Sequence, residues 1–412
     1  MTAADDPIDH ESATRANETA ALQAECVGAR RSDALPMKFT FEFTGDCNLH
    51  CFFCDCEFGR NEFRREGIHR FAMDEALFRQ IAEAAFPRAT IVNPTVVGEA
   101  LTFPHFQLML DLAEKYSVKL DIVTNGMLLR GDKLINLMPL LDRLAISFDG
   151  GTKETFEHCR TGSTFEVVMD NLRTFQKLRA EQPAENRCNF SFAVTLMREN
   201  IEEFSRIVEI AHELGADEIN ASHLLVFTKA LHGSSLMEHK QLSNRCIIEA
   251  MTTAERLGIP LVVPAPFVLE GDTASDQTTL PTPPAPSPRA CGAHEAPPPD
   301  WAPNAFWCKF AWREVFVSVG GEIAPCCHQE RPVMGNVFTE DWDSIWNSEE
   351  YQALRGGLRD GKPRPYCASC SLLAEQGKTR YTEKNYLFED RYPDQTTADQ
   401  RPSWPKTKPQ PE

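Results

Sequence analysis

The stretch Thr44-Gly45-Asp46-Cys47-Asn48-Leu49-His50-Cys51-Phe52-Phe53-Cys54 decides how the rest of the chain is read. Its cysteines follow the spacing C-x3-C-x2-C, which sets three thiols on one short loop. Thiolates are the soft ligands that hold iron–sulfur clusters. A four-iron cubane takes four protein ligands when closed, so three leave one iron open to a cofactor. Phe53, directly before the last cysteine, can shield such a cluster. The competing reading is a zinc knuckle or a set of buried structural thiols. Zinc prefers four closed ligands, often from paired C-x2-C units, and a lone triplet fits that poorly.

Just upstream, Lys38-Phe-Thr-Phe-Glu-Phe-Thr44 alternates apolar and polar residues, the period of a strand, and delivers the cysteine loop at its C-terminal end. Downstream, helix-period segments at Glu75–Phe86, Phe106–Tyr116, Leu134–Leu141, Phe165–Leu178 and Ile201–Leu214 have apolar residues at three- and four-residue steps. Strand-like runs at Thr90–Val97, Lys119–Thr124, Arg143–Phe148, Asn189–Leu196 and Asp217–Leu225 alternate with them. Gly215 stands where a left-handed helix cap belongs. Six strands alternating with helices imply an α/β fold with a parallel sheet, either open and doubly wound or a partial barrel.

In such folds sites assemble at the C-terminal ends of strands. The second strand ends Val96-Val97-Gly98-Glu99-Ala100, where Gly98 admits close backbone approach and Glu99 can receive an ammonium. The third ends Thr124-Asn125-Gly126. The fourth carries Ser147-Phe148-Asp149-Gly150, and Arg160 follows in His-Cys-Arg-Thr-Gly. Taken singly, these are turn signals or solvated charges.

Taken in order, the triplet and the strand ends resemble the radical S-adenosylmethionine (radical SAM) superfamily. The resemblance implies a partial (β/α)6 barrel of TIM type and a 4Fe-4S cluster on Cys47, Cys51 and Cys54, with SAM chelating the open iron. It implies SAM contacts from Gly98, Glu99, Thr124, Asn125, Ser147, Asp149 and Arg160. The match at 97–99 is partial, because Val97 replaces the first glycine of the family's glycine–glycine–glutamate motif.

A second cysteine set comprises Cys308, Cys326, Cys367 and Cys370, with Gly320-Gly321-Glu322, Gly335-Asn336-Val337 and Ile345-Trp346-Asn347-Ser348 between them. Four thiols with a terminal C-x2-C suit zinc as well as iron. The pattern resembles the SPASM auxiliary-cluster domain of radical SAM proteins, and more closely its shortened twitch form. That implies a second, closed 4Fe-4S cluster that passes electrons and does not bind SAM. Family pattern favours Cys326 over its neighbour Cys327 as ligand. Cys56 as a fourth ligand of the first set would close the SAM site. His223, near the end of the sixth strand, and His328, after the paired cysteines, are the candidate proton acceptors.

Length and composition set the boundaries. The 412 residues exceed one typical domain. We read a disordered or loosely helical lead-in over 1–35, the radical SAM core over 36–235, a helix, strand and linker over 236–300, the auxiliary domain over 301–375 and a polar tail over 376–412. Nine prolines between Pro281 and Pro303 mark the linker. A net charge of -18 argues against nucleic acid or an anionic membrane as partner. No stretch reaches the apolar length of a membrane span, and the start lacks the regions of a signal peptide. Fourteen cysteines, seven in cluster-like spacings, suit a reducing cytoplasm.

The expected activity is SAM cleavage to a 5′-deoxyadenosyl radical, hydrogen abstraction from substrate, and passage of the resulting electron to the auxiliary cluster. The twitch resemblance and the short segment before the barrel favour dehydrogenation of an alcohol carbon on a small sugar- or cyclitol-like molecule. Alternatives are an epimerase with Cys291 or Cys327 as hydrogen donor, a maturase of ribosomally made peptides, and a non-catalytic zinc scaffold. The resemblance also implies a flavodoxin- or ferredoxin-type electron donor.

Overall fold

The computed structural model describes residues 7–54, 72–94, 96–267, 269, 305–306, 308–326, 332–367 and 370. His328, Cys56, Cys291 and Cys327 therefore lie outside the described residues, as do nearly all of the proline-rich linker and the polar tail. The described residues open with helix α1 (Pro7–Cys26). Strands β1 (Lys38–Phe41), β2 (Ile91–Asn93), β3 (Lys119–Thr124), β4 (Leu141–Ser147), β5 (Asn189–Leu196), β6 (Glu218–His223) and β7 (Leu261–Val262) pair in parallel, each with the next in sequence. Between them run α2 (Glu75–Ala85), α3 (Phe106–Lys115), α4 (Gly131–Leu137), α5 (Lys153–Cys159), α6 (Phe165–Glu181), α7 (Phe204–Glu213) and α8 (Lys240–Leu257). This is the strand–helix alternation of a partial barrel. Among the described residues no pairing closes it, and β7 is one edge of the sheet.

At the other edge the sheet continues into the C-terminal region. Strand β8 (Glu314–Val317) pairs in parallel with β1 over Lys38–Phe41, and β9 (Glu322–Ala324) and β10 (Gly335–Asn336) follow antiparallel. The order is β10-β9-β8-β1-β2-β3-β4-β5-β6-β7. Helices α9 (Trp342–Trp346) and α10 (Glu349–Arg359) complete this region.

The alternation that marks β1 in the sequence has a packing consequence. Phe39, Phe41 and Phe43 share one face and stack in series at 5.8 and 4.7 Å between ring centroids. Phe43 then meets Phe78 of α2 and Phe103 at 4.8 and 5.2 Å. Aromatic pairs of this kind contribute about 0.5–1.5 kcal/mol each beyond their buried area. They fix the strand that presents the cysteine loop.

Caps fall where side-chain chemistry places them. Asp74 and Thr152 accept from the first-turn amides of α2 and α5, and Gly215 follows α7 at φ +66°. Strand β2 is shorter than the sequence run at Thr90–Val97. Pro94, which has no amide proton, follows its last paired residue. The segment expected to extend a helix to Leu141 instead turns at Met138–Leu140, and Leu141 opens β4.

Candidate radical and cluster site

The cysteine loop leaves the C-terminal end of β1 and is pinned by its neighbours' backbones. The Glu99 amide donates to the Asp46 carbonyl at 2.7 Å, and the His50 amide to the Thr161 carbonyl at 2.8 Å. Gly98 sits at φ +76°, and a Cβ there would lie 2.5 and 2.6 Å from the carbonyl oxygens of Thr44 and Asp46. The close approach that requires a glycine is thus made by the chain's own cysteine loop.

Glu99 is 2% exposed and ties three strand ends together. Its carboxylate accepts from the Thr124 hydroxyl at 2.7 Å, the Asn125 amide at 2.8 Å and the Leu101 amide at 3.3 Å. Burial pushes its pKa up, and these hydrogen bonds pull it back. The Asn125 side-chain NH2 donates to Asn48 at 3.0 Å and lies 3.8 Å from the Cys47 sulfur, which also accepts from the Leu49 amide at 3.4 Å.

On the other side of the loop stands a buried ion pair. Asp149, fully buried, meets Arg160 at 2.5 Å and accepts from the Thr195 amide at 2.7 Å. Burial raises the Asp149 carboxyl, while Arg160 and the Thr195 amide oppose it. Arg160 lies 5.6 Å over the Phe53 ring, and its positive charge lowers the pKa of Cys51 against the effect of burial. Cys51 packs with Leu49, Phe53, Cys159, Met197, Leu224, Val226, Phe227 and Leu231, an apolar wall around the thiols.

The chemistry of this donor set fits an iron–sulfur cluster. Cys47, Cys51 and Cys54 form no disulfide, amide donors face the Cys47 sulfur and the Arg160 charge acts on Cys51, and apolar side chains wall the loop. Burial, then Glu99 and the neighbouring thiols, push Cys47 up to about 12. Burial also raises Cys51 to about 12, against the pull of Arg160. Iron coordination reverses this, because a bound thiol is deprotonated outright.

In the C-terminal region, burial and then Cys326, Cys367 and Cys370 raise Cys308 well above its ordinary range, so the four thiols share one neighbourhood. Cys308 opens the turn Lys309–Ala311, whose Ala311 amide donates to its carbonyl at 3.1 Å. The Cys370 amide donates to the Cys367 carbonyl at 3.2 Å. Among the described residues no three His, Cys, Asp or Glu groups form a site for a single metal ion.

Of the residues singled out in the sequence, Gly98, Glu99, Thr124 and Asn125 converge on Cys47, and Asp149 and Arg160 on Cys51. Ser147 is half-buried at the end of β4. His223 closes β6, buried against Phe267 with ring centroids 4.5 Å apart. Burial alone lowers its pKa to about 3, which makes it a neutral imidazole in any ordinary buffer. Sequence reasoning missed two asparagines beneath the site. The Asn171 NH2 donates to the Gly126 carbonyl at 2.8 Å, and that of Asn200 to the Asp149 carbonyl at 3.1 Å. Their only trace in the sequence is a polar residue on an apolar helix face, in the case of Asn171.

Residues 41–217 match the radical SAM superfamily, and residues 308–371 match SPASM, an iron–sulfur cluster-binding domain. The chain is thus a radical SAM protein with a C-terminal SPASM domain, and the cofactors of that architecture are SAM and 4Fe-4S clusters. It is 28% identical over 200 residues to a tungsten-containing aldehyde ferredoxin oxidoreductase cofactor-modifying protein of Pyrococcus furiosus, covering 47% of this chain and 53% of that one. It therefore spans about half the length of that relative. It is 22% identical to the antilisterial bacteriocin subtilosin biosynthesis protein AlbA of Bacillus subtilis, over 85% of this chain and 70% of the relative. It is 23% identical to the PqqA peptide cyclase of Gluconobacter oxydans, over 81% and 82%. Among solved structures, Streptococcus suis SuiB superposes with a TM-score of 0.51 at 16% identity, covering 90% of this chain and 78% of that one, a likeness of fold. No helix among the described residues is long and apolar enough to cross a membrane.

Proposed function

We propose that this chain is a radical SAM enzyme that modifies a peptide, in the manner of maturases of ribosomally made peptides. The reading that the motifs favoured, a small sugar- or cyclitol-like alcohol, gives way to it. One observation carries the change: two relatives matched over 70% or more of both chains are a bacteriocin biosynthesis protein and a peptide cyclase. When bound, the first cluster and SAM supply a 5′-deoxyadenosyl radical that removes a hydrogen atom from substrate.

The chain's own residues bind and orient. Cys47, Cys51 and Cys54 hold the first cluster and leave one iron for SAM. Glu99 takes the SAM ammonium, since a carboxylate has about four acceptor sites and three are used by Thr124, Asn125 and Leu101. Arg160, with five donors, keeps donors beyond its Asp149 contact for the SAM carboxylate. Gly98, Ser147 and Asn125 line the same strand ends. Cys308, Cys326, Cys367 and Cys370 would hold the second cluster, which would supply an electron acceptor, and a flavodoxin- or ferredoxin-type protein would be the electron donor. His223, buried and neutral at the end of β6, and His328 stay the candidate proton acceptors.

The test is direct. Anaerobically reconstituted protein, SAM and reductant are mixed with short precursor peptides encoded beside the gene, or with a panel of aminocyclitols and sugars. Product mass and 5′-deoxyadenosine are read together. A peptide changed in mass, with deuterium carried from its labelled carbon into 5′-deoxyadenosine, is the expected result. Turnover of an alcohol in the second panel, with every peptide inert, reverses the proposal.

A further inference from the structure

Glu203 ends the turn Ile201–Glu203 that follows β5, and its carboxylate grips a single stretch of the preceding strand–helix unit. Its Oε2 accepts from the Gly151 amide at 2.7 Å and the Thr152 amide at 2.9 Å. Its Oε1 accepts from the hydroxyls of Thr152 at 3.0 Å and Thr155 at 2.6 Å. A carboxylate has about four acceptor sites, so this one is spent entirely on the entry to α5. The helix does not need it as a cap. The Thr152 oxygen already accepts from the Thr155 amide at 3.3 Å.

The gripped stretch has a site residue at each end. Asp149 stands just before it, and Arg160 just after α5, its amide donating to the Phe156 carbonyl at 2.8 Å. The two ends meet in the Asp149–Arg160 ion pair at 2.5 Å. Between them the stretch is stiff. A Cβ on Gly150 would collide with the Phe156 amide, and the Phe156 ring lies 4.7 Å from Phe148 and 5.5 Å from Phe165 between centroids. Asn200, whose carbonyl accepts from the Glu203 amide at 2.9 Å, holds the Asp149 end. Its NH2 donates to the carbonyls of Asp149 at 3.1 Å and Thr195 at 2.8 Å. The connection between β5 and α7 therefore holds both the strand end and the helix that together place the guanidinium.

We infer that Glu203 is a positioning residue for SAM: by fixing the entry to α5, it sets where Arg160 stands to receive the SAM carboxylate. A residue behind a contacting side chain orients it, and loss of such a partner commonly costs roughly 10- to 100-fold in affinity or activity. Glu203 acts through α5 and not by touching the cofactor. Its role rests on Arg160 receiving that carboxylate, and it is independent of which substrate the enzyme takes.

Glu203→Gln keeps the size and turns an NH2 toward donors of the gripped stretch. In the full-length protein, reconstituted anaerobically, iron content should match wild type, while the SAM dissociation constant from calorimetric titration should rise roughly 10-fold. Thr155→Val, which removes one of the four donors, should raise it by less. Arg160→Gln should also weaken binding. Glu203→Gln added to Arg160→Gln should weaken it no further, because a residue that acts through the guanidinium has no effect once it is gone. A purely structural role would lower the melting temperature and leave SAM affinity alone. Wild-type affinity in Glu203→Gln, a double variant weaker than Arg160→Gln by the full single-variant factor, or loss of the first cluster's iron in Glu203→Gln overturns the inference. Wild-type affinity in Arg160→Gln overturns it by a different route, since Arg160 then receives no carboxylate.

Discussion

Two buried ionisable residues, Glu99 and His223, differ in what their burial achieves. Glu99 is held by hydrogen bonds from Thr124, Asn125 and Leu101, so its charge is compensated locally. Glu99→Gln keeps the shape but exchanges one acceptor oxygen for a donor that faces donors. SAM affinity should fall by about 1–3 kcal/mol, the scale of a lost charged hydrogen bond, while iron content stays the same. Anaerobic calorimetric titration with SAM measures this, and equal affinity would return Glu99 to a purely structural role. His223 is buried neutral, with its pKa lowered to about 3 by desolvation, against about 6.5 for an unfolded histidine. The depressed value makes its contribution to stability complete above about pH 6.5. That contribution is lost as pH falls toward 3, because the unfolded chain takes up the proton first. Urea midpoints measured from pH 7 down to 4 should therefore decline less in His223→Phe than in wild type, and the activity profile between pH 5 and 8 should carry no step from this residue.

Among the elements, the loop after β2 and the loop after β1 are fitted to each other at backbone resolution. Gly98→Ala puts a methyl group within 2.6 Å of two carbonyl oxygens at a backbone angle that L-residues avoid. The cysteine loop must then move. The expected outcome is loss of about half the iron, from the SAM-binding cluster, with the SPASM cluster retained. Iron and EPR analysis after reconstitution check it, and full iron with normal SAM cleavage would show that the loop tolerates the shift. These elements also show what the sequence disclosed. The period-2 run at β1, the five amphipathic helices and the cysteine spacing are local patterns, and each is found close to where the pattern put it. The pairing of β8 with β1 and the Asn200 support of Asp149 join residues far apart in the chain, and the Asp149–Arg160 ion pair spans helix α5. No local period encodes such contacts. Helix α5 was missed because seven residues are too few to establish a period.

At the scale of the molecule, the two cluster regions form one continuous sheet, and the segment before β1 fastens them together. The lead-in, read from its polarity as disordered or loosely helical, forms α1 and then a strap across the SPASM region. The Trp312 indole donates to the Ala29 carbonyl and the Trp346 indole to the Ala34 carbonyl, each at 2.9 Å. Arg313 pairs with Glu25 at 2.8 Å, with both side chains buried. Asn347 closes the strap like a strand partner: its side-chain oxygen accepts from the Ser32 amide at 2.9 Å, and its NH2 donates to the Ser32 carbonyl at 3.0 Å. The sequence motif Ile345-Trp346-Asn347-Ser348, which looked like part of the cluster domain, thus serves to hold that domain against the segment leading into β1. Asn347→Leu leaves a buried amide proton and a buried carbonyl of Ser32 without partners, each costing about 1–3 kcal/mol. The strap should then open locally while the barrel core stays folded, since the core's helices and strands β2–β7 make none of these contacts. Two readouts follow. Hydrogen exchange at residues 29–35 should rise well above wild type while that of β3–β5 is unchanged. The distance between the two clusters should also broaden, seen as a weaker magnetic interaction between their reduced signals. With the electron acceptor no longer held in place, more 5′-deoxyadenosine should form per molecule of product than in wild type. Wild-type exchange across 29–35 together with a wild-type ratio of product to 5′-deoxyadenosine would show that the β1–β8 pairing alone holds the two regions in register.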